Sequence, residues 1–392
     1  MRPLLIYSGF FVQEIVNCKM PVEAVNIETF LNLSKDFPVL DVRSPGEYLQ
    51  AHIPDAFSIP LFTDEQRKII GTAYKQESRQ TAVNHGLNYF SERMKVIPEE
   101  VANIIANLKL KNVPSTPLEV GGILIHCWRG GMRSEAVAWL LNLYGYRIFL
   151  LKGGYKSFRR WVLKQFEKQY SFKILGGYTG SGKTEVLNAM KNKGKTVIDL
   201  EALANHKGSA FGSLGRSAQP SQEMFENLLA IELWKTNCKK ETGSNDEAQT
   251  NLNNEIWLED ESRHIGSVGF SQAFWKQMRT ADLYFLDIPF EERLKFIVSQ
   301  YGCFDKKLLV TAIMKIQKRL GGLETKNAIN FLLENKVMEC FSILLHYYDK
   351  MYTNAMNNRE DIPSLLNKVY CKSVDIDNAK YFFESQLLKA DS

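Results

Sequence analysis

The feature that most constrains the fold is a glycine-rich motif near the middle of the chain. Gly177, Gly182, Lys183 and Thr184 match the pattern G-x-x-x-x-G-K-[ST]. An apolar strand-like run, FKILG, precedes the motif, and a helix-like run, TEVLNAMK, and a strand-like run, TVIDLE, follow it. Strand, loop, helix and strand in this order predict a βαβ unit, whose two strands lie parallel in one sheet. The motif therefore predicts a parallel α/β domain that begins near residue 171.

The same motif predicts a binding site for phosphate groups. The backbone N–H groups of a glycine-rich loop that enters a helix point inward together, so they bind a phosphate or a diphosphate. Lys183 would reach the outer oxygens of this group, and the Thr184 hydroxyl would hold Mg²⁺ if the site uses a metal. The predicted diphosphate-binding residues are Gly177, Tyr178, Thr179, Gly180, Ser181, Gly182, Lys183 and Thr184.

Sites of this kind commonly include an acidic residue at the end of a neighbouring strand, which binds the metal through water. We choose Glu259, at the end of the strand-like run EIWLE, as this acidic partner. Asp199 with Glu201 is a second candidate pair. A solvated acidic turn without a binding role is the alternative for the run EDES at 259–262.

A second loop, around Cys127, has the features of a site for a reactive thiolate. Cys127 ends the strand-like run ILIHC, and the following residues, WRGGMRS, give a C-x5-R spacing to Arg133 at the start of a helix. Converging N–H groups and the positive end of a helix stabilise an anion and lower the pKa of a thiol among them. We therefore predict that Cys127 is the nucleophile and that Arg129 and Arg133 act beside it. The other residues of the predicted anion cradle are Trp128, Gly130, Gly131 and Met132.

The cysteine loop alone leaves two chemistries open. Phosphate esters are hydrolysed through a phosphocysteine, and sulfur or selenium is transferred through a cysteine persulfide or selenosulfide. The bulky Trp128 and the absence of an obvious general acid argue against the phosphatase. An inert cysteine at a strand end is the third alternative, but Gly130 and Gly131 argue against it, because a loop curled this tightly needs residues without a Cβ.

A chain of 392 residues is long enough for two domains. Strand-like runs at 37–43, 123–127 and 147–151, with a helix at 134–144 before the last, predict a parallel sheet in the first of them. The predicted fold class is α/β in both domains, and the second ends in helices. The predicted ranges are 21–165 with a helical insertion at about 63–98, then 171–310, then a helical part at 311–392. The polar run at 239–255 predicts a surface loop.

The composition excludes a membrane-spanning helix. No apolar run approaches the roughly 18 residues that a span needs, and the first 20 residues contain no signal-peptide cleavage site. The six cysteines form no CxxC pair and no disulfide framework, so we expect a cytoplasmic location. A net charge of +5 permits contact with a polyanion without requiring it.

The stretch that joins the two predicted domains, from Lys152 to Lys168, is basic and aromatic. Tyr155, Phe158 and Trp161 among lysines and arginines would suit an unpaired RNA base that stacks on an aromatic platform. The alternative is a linker helix whose aromatic side chains pack in a core.

Several segments carry a family resemblance. Those that resemble a rhodanese domain are DVRSPGEY from Asp41, HIPDAFSIP from His52, HCWRGGMRS from His126 and LKGGYKSFRRW from Leu151. Those that, with the loop GGYTGSGKTEVL, resemble the tRNA 2-selenouridine synthase family are GTAYKQ from Gly71, LANHKGSAFG from Leu203, QPSQEMFEN from Gln219 and EDESRHIG from Glu259. The chain departs from the family pattern at Asp55, where glycine is expected, and at Lys207, where arginine is expected.

The resemblance implies an enzyme that replaces the sulfur of 2-thiouridine, at the wobble position in the tRNA anticodon region, with selenium from selenophosphate. An S-geranyl intermediate would form from geranyl diphosphate, which the phosphate loop would bind without ATP hydrolysis. Cys127 would carry the selenium or displace the geranylthio group, and Arg129 and Arg133 would hold the anionic donor. The resemblance implies no tightly bound cofactor, Mg²⁺ aside, and it implies a supply enzyme for selenophosphate as a partner. The alternatives are a cysteine phosphatase fused to a P-loop kinase and a generic rhodanese-type sulfurtransferase.

Overall fold

The computed structural model describes residues 22–109, 122–241 and 255–384. The chain divides into two compact units, Met1–Leu163 and Lys164–Ser392. The first 20 residues lie outside the described ranges, as does most of the predicted loop at 239–255, although residues 239–241 belong to a helix. Within the described ranges, no helix is both long and apolar enough to cross a membrane.

The first unit is built on a five-stranded sheet in which all neighbouring strands are parallel. Its strands are β1 (Val22–Val25), β2 (Val39–Asp41), β3 (Phe57–Ser58), β4 (Ile123–His126) and β5 (Ile148–Leu151). Their spatial order is β1-β5-β4-β2-β3. Every residue of the central strand β4 is buried, as expected for a parallel strand with both faces covered. The prediction of a parallel α/β sheet is confirmed; the three predicted strands, β2, β4 and β5, are each shorter than their apolar runs, and β1 and β3 were not predicted.

Helices cover this sheet. They are α1 (Ile27–Leu33), α2 (Pro45–Gln50), α3 (Asp64–Gln76), α4 (Arg79–Arg93), α5 (Val96–Lys109), α6 (Met132–Leu143) and α7 (Gly154–Gln165). The predicted insertion contains α3 and α4, and α3 begins at a capping box in which the Thr63 hydroxyl accepts from the backbone N–H of Gln66. The apolar face of α6, including Val137 and Leu141, packs in the core with β4 and β5.

The departure from the family pattern at Asp55 has a backbone explanation. Asp55 has φ +65°, in the left-handed region that glycine adopts without steric cost. Aspartate is among the residues that tolerate this region best, because its short polar side chain bonds locally. The expected glycine and the observed aspartate therefore satisfy the same turn.

Helix α7 resolves the two interpretations of the basic aromatic stretch. Tyr155, Phe158 and Trp161 follow one another at three-residue spacing and are all buried. The interpretation as a platform for an RNA base is therefore wrong for these three rings, and the packed linker helix is observed. The exposed side of α7 carries Lys156 and Arg160 instead.

The second unit contains another five-stranded parallel sheet. Its strands are β6 (Ser171–Gly177), β7 (Thr196–Val197), β8 (Glu255–Glu259), β11 (Asp282–Asp287) and β12 (Leu366–Tyr370). The order β12-β11-β6-β8-β7 places the strand of the glycine-rich motif at the centre. Two further short strands, β9 (His264–Ile265) and β10 (Val268–Gly269), form an antiparallel hairpin.

Helices of the second unit flank the sheet and extend beyond it. They are α8 (Lys183–Asn192), α9 (Leu200–Ala204), α10 (Gln222–Glu241), α11 (Gln272–Arg279), α12 (Phe290–Tyr301), α13 (Lys306–Leu320), α14 (Gly322–Leu333), α15 (Val337–Asn357), α16 (Ile362–Leu365), a 3₁₀ helix (Ile376–Lys380) and α17 (Tyr381–Glu384). The prediction that 311–392 is entirely helical is wrong, because β12 adds a strand at the sheet edge. The partly exposed run LNKVY has no strong strand pattern, and its pairing with the distant β11 makes it a strand.

Candidate active sites of the two units

Cys127 lies directly after β4, in the tight loop that leads into α6. Its side chain is buried, with Sγ 3.2 Å from Ser134 Oγ and 3.4 Å from the Gly131 N–H nitrogen, which donates to the sulfur. Ser134 is in the first turn of α6, so the hydroxyl and the positive end of the helix meet at the sulfur. The loop therefore brings several hydrogen-bond donors to one sulfur atom.

The surroundings of Cys127 favour the thiolate. Burial alone would raise the pKa of the thiol, but the hydrogen bonds from Ser134 and Gly131 and the charge of Arg133 lower the pKa below the ordinary value. Ser134 Oγ also lies 3.0 Å from the Gly131 carbonyl oxygen and can donate its one proton to either acceptor. A thiolate has no proton to give, so in the ionised state the hydroxyl is the donor in any hydrogen bond between these two side chains.

Ser134→Ala is expected to raise the pKa of Cys127, because it removes a donor to the thiolate. A hydrogen bond to a charged group contributes about 1.5–3 kcal/mol, which corresponds to roughly a tenfold or larger loss of thiolate at neutral pH. The measurement is the rate of Cys127 alkylation by iodoacetamide against pH, and the midpoint should move upward. Ser134→Thr, which keeps the hydroxyl, is the control, and an unchanged midpoint in Ser134→Ala would contradict this role.

Arg133 is not a free cation, because it shares a carboxylate with an arginine of the insertion. Arg133 Nη1 lies 2.8 Å and Arg67 Nε 3.1 Å from Glu47 Oε2. Burial alone would raise the pKa of Glu47, but the hydrogen bond and charge of Arg133 lower it below the usual range, so the carboxyl stays ionised. Two guanidinium groups thus share one carboxylate, and the exposed Arg129 of the same loop adds a further positive charge, so the rim of the loop keeps a net positive charge.

The two glycines of the loop are not equivalent. Gly130 has φ +66°, and a Cβ there would lie 2.7 Å from the Leu151 carbonyl oxygen. Gly131 has φ −134°, and a Cβ there would have no heavy atom within 4 Å. The prediction that both need a backbone without Cβ holds for Gly130 and is wrong for Gly131.

Gly130→Ala is expected to lower the free energy of unfolding by about 1–3 kcal/mol, because it forces a left-handed alanine against a carbonyl oxygen. Gly131→Ala is the matched control one residue away and should change the free energy by less than about 1 kcal/mol. Denaturant titration of both variants makes the comparison. Equal stability of the two variants would show that the loop relaxes around the added methyl group.

The glycine-rich motif forms the predicted loop between β6 and α8. Residues 179–185 line a cleft of about 1180 Å³ in the second unit. Lys183 Nζ donates to the Gly177 carbonyl oxygen at 2.9 Å, which holds the ammonium group across the loop. Ser181 is buried, and its Oγ has no hydrogen-bond partner among the described residues. The motif therefore has the strand, loop and helix context that phosphate binding requires.

Helices distant in sequence brace this loop. Arg293 of α12 forms a bidentate pair with Asp349 of α15, at 2.7 and 2.8 Å, and donates to the Thr179 carbonyl oxygen at 3.1 Å. Tyr352 of α15 accepts a hydrogen bond from the Gly177 N–H at 3.2 Å and donates to Asp260 Oδ2 at 2.6 Å. The loop is thus fixed on its outer side before any ligand binds.

A group of carboxyl side chains lies beside Lys183. Glu201 and Glu261 line the cleft and are close enough to hydrogen-bond each other. Burial and the charge of Glu201 raise the pKa of Glu261 well above the usual value, although Lys183 opposes this. The predicted partner, Glu259, is buried and is not among the residues that line the cleft. Its Oε2 accepts a hydrogen bond from the Leu200 N–H at 2.9 Å, and burial and the charge of Asp199 raise its pKa. The cleft therefore presents Glu201 and Glu261, whereas Glu259 supports the adjacent backbone.

Oxygen donors for Mg²⁺ are present at the cleft in Thr184, Glu201 and Glu261. Among the described residues, no group of three or more His, Cys, Asp and Glu side chains is arranged to hold a metal ion. A metal at a phosphate loop takes many of its ligands from the phosphate oxygens and water. The role of Thr184 toward Mg²⁺ remains a prediction.

The residues that support both loops were not predicted from the sequence. Ser134, Glu47 and Arg67 act on the cysteine loop, and Arg293 and Tyr352 act on the phosphate loop. Ser134 had a local signal, because a hydroxyl in the first helical turn after a thiolate is placed to donate to it. The others lie far away in sequence, and only the fold brings them to their loops.

Comparisons with known proteins agree with this architecture. The family described as tRNA 2-selenouridine synthase AAA domain matches residues 170–369, and the rhodanese-like domain family matches residues 26–160. A tRNA 2-selenouridine synthase of Shewanella frigidimarina is 31% identical over 361 residues, which cover 84% of this chain and 91% of the relative. One of Marinobacter nauticus is 32% identical over 366 residues, 85% of this chain and 92% of the relative. The chain belongs to the tRNA 2-selenouridine synthase family.

Both loops fall inside the matched regions. A third relative, the tRNA 2-selenouridine synthase of Nitrosomonas europaea, is 32% identical over 286 residues, which cover 72% of this chain and 66% of that protein. The rhodanese-like match contains the Cys127 loop and its supports Glu47 and Arg67, and the synthase-specific match contains the phosphate loop and its supports. This chain thus carries the cysteine loop in the rhodanese-like region and the phosphate loop in the synthase-specific region.

Proposed function

We propose that this enzyme replaces the sulfur of 2-thiouridine at the wobble position of tRNA with selenium from selenophosphate. The observation that carries the proposal is the Cys127 sulfur, which has the Ser134 hydroxyl, the Gly131 N–H and Arg133 beside it, in a chain that belongs to this synthase family and also has a phosphate loop. An unreactive structural cysteine would not need a hydroxyl, a backbone N–H and a helix end directed at its sulfur.

The same surroundings disfavour the phosphatase alternative. A cysteine phosphatase needs a protonated general acid near the loop to supply a proton to the leaving alkoxide. The carboxyl group that lies beside this loop is Glu47, which two arginines hold in its ionised form. An ionised carboxylate has no proton to give, so Glu47 is unsuited to that role.

For the phosphate loop we propose geranyl diphosphate as the ligand. The loop and Lys183 offer donors for a diphosphate, and the same cleft has a wall of apolar side chains, namely Phe296, Ile297, Ile316, Phe341, Leu344 and Leu345. An apolar wall beside a phosphate site suits a prenyl chain, because burial of each CH₂ group contributes about 0.8 kcal/mol. The polar ribose and base edges of a nucleotide would gain no such free energy from contact with this lining.

The proposed chemistry balances in two stages, geranylation and selenation. In the first, the sulfur of 2-thiouridine attacks C1 of geranyl diphosphate; a C–S bond forms, a C–O bond breaks, and diphosphate leaves with the electron pair. The loop N–H groups and Lys183 stabilise the charge that develops on this leaving group. In the second, selenium from selenophosphate bonds to C2 of the base, geranylthiol leaves, and hydrolysis of the P–Se bond yields phosphate.

Electron counting favours one of two roles for Cys127. A selenosulfide made from a thiolate and selenophosphate, with phosphate as the product, requires the loss of two electrons and therefore an oxidant. Attack of the thiolate on C2 needs none, because geranylthiolate leaves with its electron pair and a selenide then displaces the cysteine in the same way. We therefore propose that Cys127 displaces the geranylthio group and is itself displaced by selenium.

Two measurements test the function. Nucleoside analysis of tRNA from cells with and without the gene should show 2-selenouridine only when the gene is present. In vitro, S-geranyl tRNA without selenophosphate should form a covalent adduct with the protein that disappears when selenide is added. If neither cell line contains 2-selenouridine although both make selenophosphate, the proposed function is wrong. If only the covalent adduct is absent, the displacement role of Cys127 is wrong and the function stands.

A further inference from the structure

A partly exposed indole lies next to the nucleophile. Trp128 follows Cys127 directly, and 37% of its surface is exposed. Its ring is 5.7 Å from that of Tyr155, which is buried in turn against Phe158 and, through it, Trp161. The four rings contact one another in a row that runs from the buried rings of α7 to the cysteine loop, and Trp128 is the exposed end of this row. The exposed part of this ring belongs to the same loop as the reactive sulfur and is available for contact with a substrate.

A rigid support holds the inner side of Trp128. Arg43 is buried, with its guanidinium carbon 3.8 Å from the centre of the Tyr155 ring and 5.9 Å from that of Trp128. The guanidinium group cannot swing away, because it is bonded to both oxygens of Asp41 at 2.6–2.9 Å and to the Ala51 carbonyl oxygen at 2.7 Å. The indole therefore rests on groups that are already fixed.

Backbone hydrogen bonds fix Trp128 relative to Cys127. The Tyr155 N–H donates to the Cys127 carbonyl oxygen at 2.8 Å, and the Lys156 N–H donates to the Trp128 carbonyl oxygen at 3.0 Å. Both carbonyl groups are thus held by the first turn of α7, which packs against the loop. A flat partner that lies on the indole would therefore have a fixed position relative to the sulfur.

We infer that Trp128 is a stacking platform that positions the target uracil ring against Cys127. A tetrahedral anion such as selenophosphate has no flat face, so it gains nothing from an indole, whereas every nucleobase has such a face. The exposed cations around the loop, Arg129 and Lys156, suit the phosphates on either side of that base. This inference rests on the proposed function, which supplies the tRNA base.

The test is binding of an anticodon stem-loop that contains 2-thiouridine, together with the KM of selenium transfer to tRNA. Base stacking on an aromatic side chain predicts that Trp128→Ala weakens binding and raises KM by roughly 5- to 100-fold. Trp128→Phe keeps an aromatic face and should recover most of the affinity. Trp139→Ala is the matched control, because it removes another exposed indole of the same unit, and it should bind like wild type.

A readout on the thiol separates stacking from loop collapse. The rate of Cys127 alkylation by iodoacetamide should be the same in Trp128→Ala and wild type; a parallel loss of alkylation and binding would show a structural role and overturn the inference. Wild-type affinity of Trp128→Ala for the stem-loop would also overturn the inference. If the wild-type protein nevertheless transfers selenium, the proposed function stands. If binding depends on Trp128 but the wild-type protein does not transfer selenium to tRNA, the proposed function is refuted and the stacking role of Trp128 is retained.

Discussion

Cys127→Ser is expected to reduce selenium transfer from selenophosphate to S-geranyl tRNA by roughly 1,000-fold or more, because a serine hydroxyl at this position stays protonated at neutral pH. The donors that stabilise a thiolate, Ser134 and the Gly131 N–H, cannot lower the pKa of an alcohol into the working range. The rate is measured from the appearance of 2-selenouridine in tRNA that was geranylated beforehand.

The controls for this variant separate the two chemical steps. Formation of S-geranyl-2-thiouridine from geranyl diphosphate should continue in Cys127→Ser, since that step uses the phosphate loop. Cys303→Ser removes an exposed cysteine of the second unit and should leave both steps at the wild-type rate. Selenation by Cys127→Ser at the normal rate would show that the nucleophile has been assigned to the wrong residue.

Lys183→Ala is expected to slow geranylation of tRNA by a factor on the order of 100 or more. The ammonium group spans the phosphate loop and would contact the outer oxygens of the diphosphate, where negative charge grows as the C–O bond breaks. Loss of one positioned donor to such a leaving group commonly costs this much in rate. The measurement is the initial rate of S-geranyl-2-thiouridine formation at saturating tRNA.

Selenation of tRNA that already carries the geranyl group should be unaffected in Lys183→Ala, because it does not use the diphosphate. Lys191→Ala, a lysine on the exposed side of the same helix α8, is the matched control and should geranylate normally. Equal loss of both reactions, or a requirement of the wild-type enzyme for ATP, would assign a different ligand to the phosphate loop.

The parts of the fold that the sequence predicts are those with local signals. The strand, loop and helix at Cys127 and at Lys183 each occupy a short segment, and each apolar run is long enough to indicate a buried strand. The parallel sheet follows from the order of these elements. The same local patterns predict the insertion, since the helices α3 and α4 have their own caps.

The rest depends on contacts between distant segments, which one sequence does not reveal. Strand β12 forms because Leu366 pairs beside Leu283, although its own residues mix apolar and polar types and none is buried. Glu47 is 86 positions from the Arg133 that it binds, and Tyr352 is 175 positions from the Gly177 that it contacts. For the aromatic residues of α7 a local signal is present but ambiguous, because RNA-binding surfaces and packed amphipathic helices share the same basic aromatic pattern.

The carboxyl groups beside Lys183 make ligand binding in the cleft a proton-coupled event. Because burial raises the pKa values of Glu201 and Glu261, this wall holds protons more tightly than isolated glutamates do. A diphosphate that arrives without a metal adds negative charge and draws further protons onto the wall, whereas one that arrives with Mg²⁺ at these oxygens releases them. Proton uptake on binding would therefore indicate that the diphosphate binds without a metal, and proton release would indicate that it binds with Mg²⁺.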